Sequence, residues 1–184
     1  MAERKPTEFL IRDTLIEMMS EMPFSSIRVK DLVERAHINR STFYAYYDSL
    51  YSVLQQIEDD FFAGFAGSAS LTAESRYLED SSPIIVKNLD YFKASAPTLQ
   101  ALLGNYGDPA FQARFTRLLC LQLEKFSPGL KNATGKSKVI RDYIAAGQLS
   151  TLKILSFSRD ELDSEELARM VHIIAKTLLD LVEE

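Results

Sequence analysis

Residues 29 to 47 read VKDLVERAHINRSTFYAYY, a short amphipathic run from Val29 to Ala36, the pair His37 and Ile38, and an aromatic-rich segment beginning at Asn39. Runs this short, separated by so little chain, leave room for one steep turn. That is the layout of a helix-turn-helix, whose second helix is offered to a DNA groove. Asn39 is a favoured N-cap, its side-chain oxygen suited to an orphan amide of the first turn. At about 100° per residue Phe43 and Tyr47 fall on one face, which is expected to pack on the preceding helices. Ser41 and Ala45 then project the opposite way, with Thr42 and Tyr44 on the flanks and Arg40 near the leading end.

Small residues at the centre of that face let a backbone sink into the major groove, where a serine hydroxyl or the methyls of threonine and alanine meet base edges. Arg40 suits a bidentate pair with guanine or a phosphate, and the hydroxyls of Tyr44 and Tyr46 suit phosphates. The competing reading is an aromatic helix buried in an ordinary bundle. Phe43, Tyr44, Tyr46 and Tyr47 fall too close together in helical register for all to face one core.

The stretch from about Thr7 to Val53 resembles the DNA-binding domain of the TetR/AcrR family of bacterial transcription regulators, especially members with INRSTFY-type recognition helices. The matching residues are Ile11, Leu15, Met18 and Met19, then Phe24, then Val29, Asp31 and Leu32, then Thr42, Phe43, Tyr44 and Tyr47. The resemblance implies that Arg40, Ser41, Thr42 and Ala45 meet bases or nearby backbone, that Tyr44 and Tyr46 meet phosphates, and that Lys30 faces DNA from the start of the second helix; Asn39, at the leading turn, is expected among the DNA-binding residues. Some positions depart from the family. Pro23 and His37 replace glycines, Leu50 stands where a phosphate-contacting lysine is common, and Arg28 replaces a threonine cap and offers a compensating phosphate contact. Histidine tolerates a left-handed backbone better than most residues, so the turn at His37 is expected to survive. Backbone amides near Ser49 remain available to a phosphate.

A net charge of −5 looks unfavourable for DNA binding, but residues 1 to 47 carry seven Lys or Arg against seven Asp or Glu, so the excess lies elsewhere. Arg28, Lys30 and Arg40 gather at the groove edge, with Arg4 and Lys5 on an N-terminal arm. A chain of 184 residues with 46% hydrophobic content is long enough to bury a substantial core. No run approaches the roughly 18 apolar residues of a membrane span and the first residues lack a leader pattern, so a cytoplasmic protein with no membrane association is expected. Cys120, the single cysteine, sits among leucines and reads as a buried thiol.

Beyond residue 48 the apolar spacing lengthens, from Leu50 through Val53, Leu54, Ile57, Phe61 and Phe65 in one helix. Residues 66–82 read as a loop or a frayed helix end. Pro83 and Pro97 suit first turns of helices, and GNYGDP at Gly104–Pro109 is a turn cluster that opens another helix. Two long helices, about Lys136–Phe157 and Ser164–Val182, end the chain. The expectation is an all-α protein of about nine helices, with a three-helix head over residues 1–48 and a larger bundle over 49–184.

In the penultimate helix Ala145, Ala146, Gly147, Ser150 and Thr151 permit close approach of a neighbour. In the last, Leu167, Met170, Val171, Ile174, Leu178 and Leu181 form a broad apolar stripe widened by Ile173. A homodimer through Ala146, Ser150, Thr151, Met170, Ile174 and Leu178 is expected, as two helices from each subunit suit a four-helix isologous interface. Phe61, Phe65, Tyr91, Phe92, Tyr106, Phe111 and Phe115 supply candidate walls for an effector pocket. The segment LGNYGDPAF also resembles the C-terminal domain of a TetR-like subgroup that includes regulators acting through a protein partner.

An enzyme finds little support. GKS at residues 135–137 lacks the correctly spaced glycine and preceding strand of a phosphate-binding loop. His37 and His172 have neither metal-ligand spacing nor a nucleophile beside them. The expected function is a repressor without metal or cofactor, released from a palindromic DNA operator by a small-molecule or protein effector. The alternative is an activator or co-regulator controlled by a protein partner.

Overall fold

A computed structural model describes residues 6–68, 82–158 and 162–183. Among these the architecture is all-α, with nine α-helices, two short 3-10 turns and no strand. In order, α1 is Thr7–Glu21, α2 Val29–Arg35, α3 Arg40–Tyr44, α4 Leu50–Ser68 and α5 Ser82–Ala94. They are followed by α6 (Ala96–Leu103), α7 (Pro109–Phe126), α8 (Gly135–Phe157) and α9 (Ser164–Glu183). Arg4, Lys5 and most of the expected 66–82 loop lie outside the described residues. No helix among the described residues is long and apolar enough to cross a membrane.

The chain forms two compact units, one running through Ala63 and taking in Pro97–Phe111, the other comprising Gly64–Ala96 and the chain from Gln112 onward. The first unit's core continues along α4 through Val53, Leu54, Ile57 and Phe61.

In the first unit, α1 buries Ile11, Leu15, Met18 and Met19, the i, i+4, i+7, i+8 spacing of a single helical face. Leu32, Val33 and Ala36 of the α2 region and Phe43 and Tyr47 around α3 complete this core. Arg35 ties α2 to α1 with a two-pronged ion pair, both guanidinium prongs 2.6 Å from Glu21. Pro23, where the family resemblance implied a glycine, precedes a 3-10 turn over Phe24–Ser26. Further along, Phe61 and Phe62 pack on Phe111, with ring centroids 5.5 and 5.1 Å apart. The GNYGDP turn is closed by Asp108 N–H donating to the Leu102 carbonyl at 3.1 Å. A Cβ on Gly107 would run into that same carbonyl, so the turn requires glycine there.

In the second unit α5 packs on α8 and α9, with Ile85, Leu89 and Ala168 at the centre and Val86, Leu155, Leu167 and Val171 around them. Phe65, Phe92 and Phe115 form a mutual ring cluster with centroids 5.2 to 5.9 Å apart. The Tyr91 ring lies directly on the Gly64 backbone, leaving no space for a Cβ.

Candidate nucleic-acid interface

His37 adopts φ 53°, the left-handed conformation that lets the chain reverse sharply between α2 and α3. Asn39 occupies the N-cap position with extended backbone, and its carbonyl accepts the Phe43 amide. Its side chain does not cap the helix as the sequence suggested. The Thr42 hydroxyl donates to Asn39 Oδ1 at 2.9 Å instead, so the two side chains brace each other across the first turn.

Phe43 is fully buried and Tyr47 nearly so, while Arg40, Ser41, Tyr44, Ala45 and Tyr46 are exposed and Thr42 is half-buried. Behind this face Phe43 holds Tyr44 edge-on at 5.3 Å and packs against Tyr47 at 6.2 Å. The Tyr47 hydroxyl donates to Glu8 of α1. Burial first, and then the Glu8 charge, push the Tyr47 phenol up to about 12 against an opposing pull from Arg12. The back of α3 is thus anchored and neutral, and its front is a small-residue surface bounded by hydroxyls.

Arg28 sits at the N-cap of α2 in extended conformation, and both Arg28 and Lys30 are exposed. The start of α4 is closed by a reciprocal serine cap: Ser52 N–H donates to Ser49 Oγ at 3.1 Å, and Ser49 N–H to Ser52 Oγ at 3.2 Å. These side chains occupy part of the donor set expected to be open to phosphate. Leu50 is half-buried, but its neighbour Tyr51 is 66% exposed. Sequence reasoning passed over Tyr51, which sits on the flank of the face formed by Val53, Leu54 and Ile57, where spacing alone does not decide between core and solvent.

The aromatic residues expected to wall a pocket are divided between the two units. Phe61 and Phe111 are packed in the first unit and Tyr106 is exposed on its turn. Phe115 is consumed in the ring cluster of the second unit. A cavity of about 780 Å³ does exist there, and of the seven residues Phe65 and Phe92 line it. Aromatics at helical spacing satisfy one another before they line a void.

Of the residues expected at a dimer interface, Ala146 and Ser150 are exposed, as are Met170 and Ile174 at 48% and 51%. Leu178 is half-buried, and Thr151 lines the cavity, its hydroxyl donating to the Gly147 carbonyl. The seam that α9 buries is Ala168, Ala175 and Leu179, which the stripe read from sequence did not include. Small alanines draw α9 close to its neighbours, and the bulkier Met170, Ile173, Ile174 and Leu181 are left outward. On α8 an outward row of Val139, Tyr143, Ile154 and Phe157 brackets Ala146 and Ser150, all on one helical face.

Cys120 is partly buried, and its thiol is pushed up mainly by burial, with Arg141 pulling the other way. Arg141 also bridges Glu124 at 2.7 Å and Asp142 at 2.9 Å. Among the described residues no group of three or more His, Cys, Asp or Glu side chains is arranged to hold a metal ion.

No family profile matches the chain, and no curated protein matches it by sequence. Solved structures do match its fold. A TetR transcriptional regulator from Streptococcus agalactiae 2603V is similar with a TM-score of 0.62 at 22% identity, over 92% of this chain and 93% of that one. The dihydroxyacetone kinase operon activator DhaS is similar at 0.57 and 19% identity, over 95% and 97% of the two chains. A TetR/AcrR-type regulator from Aquifex aeolicus VF5 is similar at 0.61 and 14% identity, over 94% and 99%. The chain has the TetR-like fold.

Proposed function

We propose that this chain is a homodimeric DNA-binding transcription regulator that reads a roughly palindromic site with one α3 per half-site. The observation that carries the reading is the two-sidedness of α3: Ser41 and Ala45 exposed, Phe43 and Tyr47 buried behind them. A helix serving only a core would hide its small face and would not hold tyrosines out at 55% and 52%, as Tyr44 and Tyr46 are here. Arg40, Ser41, Thr42 and Ala45 would meet base edges or nearby backbone, with Asn39 holding the leading turn. Arg28, Lys30, Tyr44 and Tyr46 would meet phosphates. Tyr51 joins that phosphate set and stands in for the lysine absent at Leu50.

The outward apolar rows of α8 and α9 support dimerisation, because exposed large side chains in continuous helical register mark an interaction surface. DNA recognition is assigned to residues 1–48, effector binding and dimerisation to 49–184. An effector in the cavity of the second unit would tune DNA affinity through a coupling of about 1–3 kcal/mol, and repression by promoter occlusion follows from such a release mechanism. A second reading, activation with a protein partner, draws on the similarity to DhaS, an operon activator, and on Tyr106, held 43% exposed on a closed turn.

Selection of bound sequences from random duplexes by the purified chain tests the proposal. Recovery of a two-fold related motif, lost when Arg40 and Tyr44 are replaced by alanine, is expected. Equal retention of all duplexes by the wild type and the variant would leave α3 without the assigned role.

A further inference from the structure

The cavity in the second unit is asymmetric in chemistry. Its wall is dominated by buried aliphatic side chains such as Ile85, Leu89, Leu119 and Leu123, with Phe65 and Phe92 as its rings. Its polar lining is rich in donors. Gln122, Gln148, Lys125 and Lys131 all line it, and none of the four has a protein partner among the described residues. Among the described lining residues the one carboxylate, Glu124, is already committed, accepting from Arg141 at 2.7 Å. Asn88 has its oxygen engaged by the Ser68 hydroxyl, which leaves its N–H group as a further donor.

We infer that this cavity binds an aliphatic carboxylate, its hydrocarbon chain against the leucine and isoleucine wall and its head group held by Lys125 and Lys131 with the glutamine amides. A neutral apolar ligand would make no use of the part-buried Gln122 and Gln148 amides or of the two exposed ammonium groups, and a cation would face two lysines of its own sign. A carboxylate accepts from several donors at once, and charge assistance makes those bonds the stronger kind. At about 780 Å³ the space lies within the range of small-molecule sites. The inference deepens the effector reading above and rests on it only for the regulatory consequence.

Calorimetric titration of the full chain with octanoate, decanoate and dodecanoate below their micellar concentrations tests it, with decanol and decyltrimethylammonium as matched probes. Each added two-carbon step should tighten binding by roughly fifteenfold, about fourfold per methylene, until the cavity is filled. Decanol should bind roughly tenfold or more weakly than decanoate, and the cation should not bind. Replacing both Lys125→Met and Lys131→Met, which are exposed and leave the core intact, should abolish the preference for decanoate over decanol by weakening decanoate. Absence of alkanoate binding, binding of the cation as tight as decanoate, or an unchanged carboxylate preference in the double variant would each overturn the inference. Duplex selection on the same preparation separates the two readings. Selective DNA binding without carboxylate binding refutes this inference alone, and carboxylate binding without DNA selectivity supports it while removing the regulator.

Discussion

The Tyr47 hydroxyl lies 3.4 Å from Glu8 Oε1, joining the buried residue that follows α3 to the first turn of α1. Through this contact and the Phe43 ring beneath it, the orientation of α3 is set by the core of the head and not by its own five residues. An isolated helix that short has no stability in water.

Stability in alkali should report this contact. The Tyr47 phenol is pushed from 10.0 up to about 12 in the folded chain. Between these values the unfolded chain has released its proton and the folded chain retains it, so the contribution is intact below about pH 10 and is lost as pH rises toward 12. Tyr47→Phe should flatten that part of the pH–stability curve in denaturant titrations. At neutral pH, loss of a bond this long should cost no more than about 0.5–1 kcal/mol.

Arg40→Ala should relax selectivity at one base step and cost about 1–3 kcal/mol if Arg40 pairs with guanine, whereas Tyr46→Phe should weaken binding to all duplexes alike. Competition binding against singly substituted sites distinguishes the two. A uniform loss for Arg40→Ala would make it a phosphate contact.

Ile174→Asp should leave the chain monomeric and folded where the proposed dimer forms through α9, because Ile174 is 51% exposed in the single chain. Sedimentation should show the change in mass, and retention of the selected DNA should fall sharply as the two heads lose their linkage. A variant that remains dimeric would move the interface away from α9.

Two glycines should respond in opposite directions. Gly107→Ala forces a Cβ against the Leu102 carbonyl and should destabilise the chain by about 1–3 kcal/mol. Gly67→Ala, in a helix with nothing within 4 Å among the described residues, should stabilise it by about 0.5–1 kcal/mol. Thermal melts of the two variants side by side give the comparison.

Much of the fold was written in local pattern. The α1 face of Ile11, Leu15, Met18 and Met19, the break at His37, the opening of α7 at Pro109 and the long last helices all follow from spacing, proline placement and turn residues, which depend on near neighbours in the chain. The two faces of α3 were legible for the same reason, since Ser41 and Ala45 lie opposite Phe43 and Tyr47 in any helix. Contacts between distant segments decided the rest. Periodicity marks a side chain as apolar without saying which surface it will meet, so Phe61 and Phe111 became core of the head and Phe65 and Phe92 the rim of a cavity. Likewise α9 turned its alanines inward and left Met170 and Ile174 outside, because close helix approach favours the smallest side chains at the seam.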